Sequence, residues 1–231
     1  MSSTTRTPAL GRPPVSLTER RKAETRMDIA RAAAHLFVHQ GLRATRAEDI
    51  AHAAGIAPRT FYRYFATKEE AVAPLYALGA ERWIEAVRDA PAELSPPQAL
   101  EHAARHTLTP GAGVSAASWE GARTLIRLAE TSPALRKVWA DVCHMTERAL
   151  GEALAERAAA AQGEDGDGDN VAEAPVAGPR LRFAAATAGA AVRVAVEYWA
   201  ASAQEAGRAL DLALENLEVL RGFAWEEARE V

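Results

Sequence analysis

The sequence predicts an all-α protein of about nine helices, with a short N-terminal three-helix module followed by a larger C-terminal helical domain. Three observations carry that prediction. Apolar residues make up 48% of the chain but aromatics only 6%, and Ala, the best helix former, supplies much of the difference. No window alternates Val, Ile, Thr and aromatics between turn signals as a half-buried strand does. Helix start and stop residues recur instead, with Pro and Gly falling between apolar stripes of helical period.

Residues 1–17 (MSSTTRTPALGRPPVSL) are rich in Ser, Thr and Pro and carry Arg6 and Arg12. They read as a basic arm, disordered in the free protein. The first helix should run from Thr18 to Gln40, with Ile29, Ala33, Leu36 and Phe37 on its buried stripe and Gly41 as the left-handed residue past its end. The T-x-x-E run from Thr45 to Glu48 reads as a capping box opening a short second helix that ends at Ala54-Gly55. Pro58 then opens a third short helix, reaching Phe65, because its missing N–H would find no partner in a first turn anyway. Thr67 and Glu70 form a second capping box, and the fourth helix should reach Asp89, bent near Pro74. Beyond a break at Pro91–Pro97, helices are expected over 97–108, 115–130 and 133–161. A Gly/Asp-rich stretch, 162–179, reads as a flexible acidic loop, and two last helices should cover 180–203 and 206–227. The expected division is an N-terminal module over 18–67 and a second domain over 68–231.

The net charge of −4 is unevenly spread. Residues 1–70 hold 12 Lys+Arg against 7 Asp+Glu, a balance of +5, and the remainder hold 15 against 24, a balance of −9. A basic front on an acidic body aims only the front at a polyanion. The single cysteine, Cys143, excludes an internal disulfide framework and fits a reducing compartment. No apolar leader or bilayer-length apolar run is visible, so a cytoplasmic protein with no membrane partner is expected.

The second and third helices, joined by Ala54-Gly55-Ile56-Ala57 and backed by the first, have the layout of a helix-turn-helix. In the third, PRTFYRYF, Phe61 and Phe65 lie four apart and share a face that can pack on Leu36, Phe37 and Ile50. The opposite face then offers Arg59, Thr60, Tyr62, Arg63 and Tyr64. Arg can fork onto guanine, Tyr and Thr hydroxyls can meet phosphate, and a Thr methyl can meet a thymine methyl. A plain solvated surface is the bland alternative, but it seldom bunches aromatics with Arg on one short helix.

The stretch from Arg21 to Ala71 resembles the DNA-binding domain of the TetR family of bacterial regulators. The shared features are an apolar helix ending in F-x-x-x-G, a T-x-x-[ED]-I-A helix, A-G-[IV], then T-F-Y-x-Y-F and a following K-E-x. The resemblance implies a one-component regulator, usually a repressor, that holds double-stranded operator DNA as a homodimer, with no cofactor, and gathers on the nucleoid when bound. It implies that Thr45 and Arg46 sit near phosphates, that Arg59, Thr60, Tyr62, Arg63 and Tyr64 make the recognition contacts, and that Lys68 clamps a phosphate. Ala57 departs from the pattern, standing where the family commonly has a capping Ser; a missing cap costs ~1 kcal/mol.

The later chain is similar to the subgroup whose C-terminal domain is described as acyl-CoA-like ligand-binding, which includes the mycofactocin regulators. The matching runs are R-x-L-I-x-L-A-E-T-S-P-A-L from Arg123 and A-x-x-A-V-R-V-A-V-E-Y-W from Ala188. An elongated apolar effector with an anionic end is the corresponding expectation. Trp119, Arg123, Arg127, Trp139 and Cys143 are the candidate pocket residues, with an Arg holding the anionic end. The competing reading has Arg123 and Arg127 bridging internal carboxylates. Ala188, Val192, Ala195 and Trp199 on one late helix and Leu210, Leu214 and Leu217 on the next are candidate dimer contacts; the competing reading has them closing the protomer core.

Other signals are weak. Asp165-Gly-Asp-Gly-Asp169 lacks the Gly and Glu that a calcium loop requires. The pairs His35/His39 and His102/His106 have no third metal ligand, and Cys143 and His144 point to different helix faces. No phosphate loop, G-x-S-x-G or H-E-x-x-H is present, so no enzyme is expected. The alternative function is a DNA-binding regulator that answers to a protein partner and takes no small-molecule effector.

Overall fold

The computed structural model describes residues 16–111, 116–162, 176–202 and 207–225. Among them lie nine α-helices and no strand: α1 (Leu17–His39), α2 (Ala47–Ala53), α3 (Pro58–Tyr64), α4 (Ala73–Arg88), α5 (Pro96–Leu108), α6 (Ala116–Thr131), α7 (Pro133–Gln162), α8 (Pro179–Ala201) and α9 (Gly207–Leu217). The arm as far as Val15 and most of the acidic loop, with its Asp165–Asp169 run, fall outside the described residues.

The front of the chain folds as its signals ask. Ser16 starts α1, its hydroxyl accepting from the Glu19 amide at 3.2 Å. Ile29, Ala33, Leu36 and Phe37 are buried along α1, and Gly41 takes φ +83° just past its end. A Cβ at that φ would be strained, which is why Gly stands there.

Three expectations are corrected. The cap of α2 is Arg46 and not Thr45: the Arg46 amide donates to Asp49 Oδ2 at 2.8 Å, while Thr45 turns inward and its hydroxyl donates to the Gly41 carbonyl at 2.9 Å. The fourth helix does not begin at Thr67. Thr67 and Glu70 do make a cap, with Glu70 N donating to Thr67 Oγ1 at 3.2 Å and Ala66 N to Glu70 Oε2 at 3.0 Å. What they open, however, is a 3₁₀ turn, Glu70–Val72. Pro74 has no N–H and would clash with the Glu70 carbonyl in a continuous helix, so α4 restarts at Ala73 with Pro74 in its first turn. Lastly, α9 stops at Leu217 and tightens into a 3₁₀ segment, Glu218–Gly222. The chain then folds back, and the buried Trp225 indole donates to the Leu220 carbonyl at 2.9 Å.

One apolar cluster runs through the molecule, from Ile29, Phe37, Ile50, Phe61 and Phe65 in front, through Val72, Trp83 and Val87, to Leu100, Leu150, Ala184, Trp199 and Leu217. Helix α1 packs on α2, the first 3₁₀ turn, α4 and α6, so it belongs to both the front and the body. In the body, α7 packs on α4 and α8, and α8 on α9. Small residues permit this. A Cβ on Gly189 of α8 would lie 2.8 Å from Glu147 Cγ of α7, so any side chain there would have to displace Glu147.

That packing corrects part of the expected dimer face. Ala188, Ala195, Trp199 and Leu217 are at most 1% exposed inside a single protomer, so these stripes close its own core, and Val192, Leu210 and Leu214 are half-buried beside them. The exposed apolar residues of α8 are Phe183, Val194 and Tyr198, at 63%, 48% and 58% exposure.

Candidate nucleic-acid interface

The three-helix front presents α3 to solvent on a fixed mount. Phe61 is buried, Phe65 nearly so, and their rings lie 5.9 Å apart. At the start of α3 the Ala57 carbonyl accepts from the Thr60 and Phe61 amides, at 2.8 and 3.2 Å, but no side chain caps the helix. At its end Phe65 goes extended, and Arg26 of α1 reaches across to it.

The residues named from the sequence divide clearly. Arg46, Arg59, Tyr62 and Arg63 are exposed, and Thr60 and Tyr64 are half-buried. Tyr62 Oη donates to Glu48 Oε1 at 3.4 Å, and the Arg63 guanidinium sits 5.5 Å from the Tyr64 ring. Thr45 leaves the set: it is 0% exposed, so its side chain cannot meet a phosphate. Lys68 is half-buried, and its ammonium donates to the Leu42 and Thr45 carbonyls, each at 2.7 Å. It therefore ties the loop ahead of α2 to the start of the fourth element. An ammonium has three protons, so one remains to point outward. The exposed set can offer guanidinium and phenol groups to base edges and phosphates, and no acid lies on α3 itself.

The body holds a half-open cleft of ≈480 Å³ between α6, α7 and α8. Of the candidate pocket residues, Trp139 and Cys143 line it, with Ile126 and Ala129 beside them, and Arg136, Arg193, Glu130, Glu147 and Glu197 supply its charge. Glu197 is held from two sides, by Trp139 Nε1 at 2.6 Å and Arg193 at 3.2 Å. Behind Trp139 the Tyr76 ring of α4 meets it at 5.0 Å, while Tyr76 Oη donates to the Leu125 carbonyl of α6 at 2.9 Å. Burial pushes the Cys143 thiol up to about 12; Arg193 opposes the shift, and Glu197 and Glu147 add to it.

The other three pocket candidates lie elsewhere. Trp119 packs edge-on against Trp199 at 5.3 Å, and Arg127 is exposed. Arg123 is spent on the C-terminal end of α8: it donates to the Trp199 carbonyl at 3.3 Å and to the Ser202 carbonyl, lies 5.1 Å from the Trp199 ring, and faces Glu120 at 3.8 Å. Arg193 and Glu197 went unnoticed in the sequence, although opposite charges four apart on an apolar helix are a legible signal.

The comparisons agree with this geometry. Residues 29–73 match the family model "Bacterial regulatory proteins, tetR family". The chain is 34% identical over 209 residues to the HTH-type transcriptional regulator TcmR of Streptomyces glaucescens, covering 89% of this chain and 86% of that one. In fold it is similar to Salmonella enterica GusR, with TM-score 0.51 and 20% identity over 87% of this chain and 95% of that one. A Rhodococcus sp. chain assigned to the TetR-family transcriptional regulators gives TM-score 0.53 and 19% identity, over 85% and 98%. No helix among the described residues is long and apolar enough to cross a membrane. With an exposed Arg/Tyr helix on a buried Phe mount, and a relative of this identity along most of its length, the chain belongs to the TetR family of DNA-binding transcriptional regulators.

Proposed function

We propose that the chain is a repressor that reads a palindromic operator as a homodimer and is released when a small molecule fills the α6–α7–α8 cleft. The module over 18–67 does the reading and the rest binds effector and partner. The observation that carries the DNA half is α3 itself, with Arg59, Tyr62 and Arg63 outward on a helix fixed by Phe61 and Phe65. Arg63 and Arg59 supply base-edge contacts, Tyr62 and Arg46 phosphate contacts, and Lys68 a third proton to a phosphate.

The exposed run Phe183, Val194, Tyr198 repeats at helical spacing on one side of α8, and Val219 beyond α9 is 68% exposed. Two half-sites one helical turn apart require a two-fold pair of readers, and this apolar face is offered to make one. For the effector, Trp139 and Ile126 offer an apolar floor. The acyl-type, anionic ligand suggested by subgroup resemblance would place its charged end on Arg193 or Arg136, the cleft's two guanidinium groups.

The test is titration of the purified protein on DNA from around its own coding sequence, followed by a metabolite screen for release. Arg63→Ala should weaken operator binding about tenfold or more while binding to unrelated duplex stays put. Equal affinity of the variant and parent for operator would dismiss α3 as the reader. If no metabolite releases the complex but a cell protein does, the effector half fails and the DNA half stands.

A further inference from the structure

The recognition helix is only seven residues long, Pro58–Tyr64. A helix this short keeps few internal hydrogen bonds, and the last carbonyls have no partner within it. Its N-terminal end carries no side-chain cap, since Ala57 has no hydroxyl. Its orientation therefore has to be set from outside. Phe61 and Phe65 bury one face, which fixes which side looks out. They do not fix the tilt, because an apolar contact is non-directional.

The directional contact at the end of α3 comes from α1, while the hydrogen bond from Tyr62 Oη to Glu48 Oε1, at 3.4 Å, ties its middle to α2. Arg26 Nη1 donates to the Tyr64 carbonyl at 3.1 Å, and the same guanidinium lies 4.6 Å from the Phe65 ring centroid. It thus holds the terminal carbonyl of α3 and the residue that ends α3 at once. A cation at a helix C-terminus is also where the helix dipole favours one. Arg26 is half-buried, in line with a group turned toward the protein. It comes from α1, which packs on both α4 and α6, so the grip on α3 is anchored in the body.

We infer that Arg26 is a positioning residue for operator recognition: it sets the tilt of α3 so that Arg59 and Arg63 meet base edges, and it does not itself contact DNA. Base readout demands side chains held to a fraction of an ångström, whereas phosphate contacts tolerate more, so loss of the grip falls on specific binding. The inference rests on α3 being the reader, and the experiment separates the two.

Arg26→Ala, Arg26→Lys and Arg63→Ala are compared on operator and on scrambled duplex over a series of salt concentrations, with the folded fraction followed by circular dichroism. Arg26→Ala should lose about tenfold on operator, leave scrambled duplex unchanged and keep the salt slope, since no phosphate contact is removed. Arg26→Lys should recover part of the loss, because an ammonium can donate to the Tyr64 carbonyl but cannot lie flat on Phe65. A salt slope lowered by about one unit on both duplexes would make Arg26 a phosphate contact and overturn the inference. Equal losses on both duplexes that track the folded fraction would make it merely structural, and operator affinity at the parental level would remove any role. If Arg26→Ala does not fold, the folded Arg26→Lys variant decides by the same comparison. No effect from Arg63→Ala would bring down the reading of α3 as well; an effect from Arg63→Ala alone brings down only Arg26.

Discussion

At Cys143 the protein makes an ordinary thiol slow to react. Burial raises it to about 12, and only the thiolate is a nucleophile, so its reactive fraction at pH 8 is small. Alkylation by iodoacetamide should run on the order of a hundred- to a thousandfold slower than that of a free cysteine at pH 8, rising about tenfold per pH unit up to pH 10. A rate plateau near pH 9 would show the thiol unburied. A ligand seated on Trp139 should slow the reaction further. Ala57 is the opposite case, a place where a group is missing. Ala57→Ser should give α3 the hydroxyl cap it lacks and raise stability by about 0.5–1 kcal/mol, read as a higher midpoint in urea. An unchanged midpoint would mean that the α3 N-terminus is already satisfied by water.

The element that combines most roles is α8. Its Ala stripe and Trp199 face the core, Gly189 faces α7, Arg193 and Glu197 face the cleft, and Val194 and Tyr198 face solvent. Charge placed on the solvent side should therefore break association and spare the protomer. Val194→Asp with Tyr198→Asp should run as a folded monomer by light scattering, whereas Leu217→Asp should not fold, because it buries a charge in the protomer core at several kcal/mol. A folded dimer from the Val194/Tyr198 pair would move the interface off this face. Sequence spacing showed that α8 and α9 are amphipathic but could not say which stripe meets which partner. An apolar face toward α7 and an apolar face toward a second copy obey the same period, and only the full packing distinguishes them. The same limit explains Arg123. Its neighbours in the sequence suggested a ligand or Glu120, and its main partners are carbonyls at the end of α8, a fold away.

Across the whole molecule, legibility follows how local the cause is. The helix-turn-helix is written in short-range chemistry, with Pro58 at a helix start, Gly41 at a left-handed turn and Phe61/Phe65 four apart, and it came out nearly to the residue. Thr45 was misjudged because T-x-x-E matches a capping box, whereas the helix starts one residue later, with the Arg46 amide on Asp49 and the Thr45 hydroxyl turned back to the Gly41 carbonyl. The cleft was read only in part. Trp139 and Cys143 were found from one helix, while Arg193 and Glu197 come from another that reaches them only through long-range packing. Along the sequence the basic charge is gathered in the first 70 residues, the part that holds the reading helix, and charge of that sign is what draws a polyanion. The close pass at Gly189 has a further consequence, for inheritance. On the reading proposed above, adjacent positions of α8 answer to separate demands: 193 lines the cleft offered to a ligand, 194 lies on the exposed apolar face offered to a second copy, and 195 is buried in the core. Drift can then retune what the protein senses without disturbing how it pairs, while a side chain at 189 would first have to push Glu147 of α7 aside; the gene can change its signal one codon at a time.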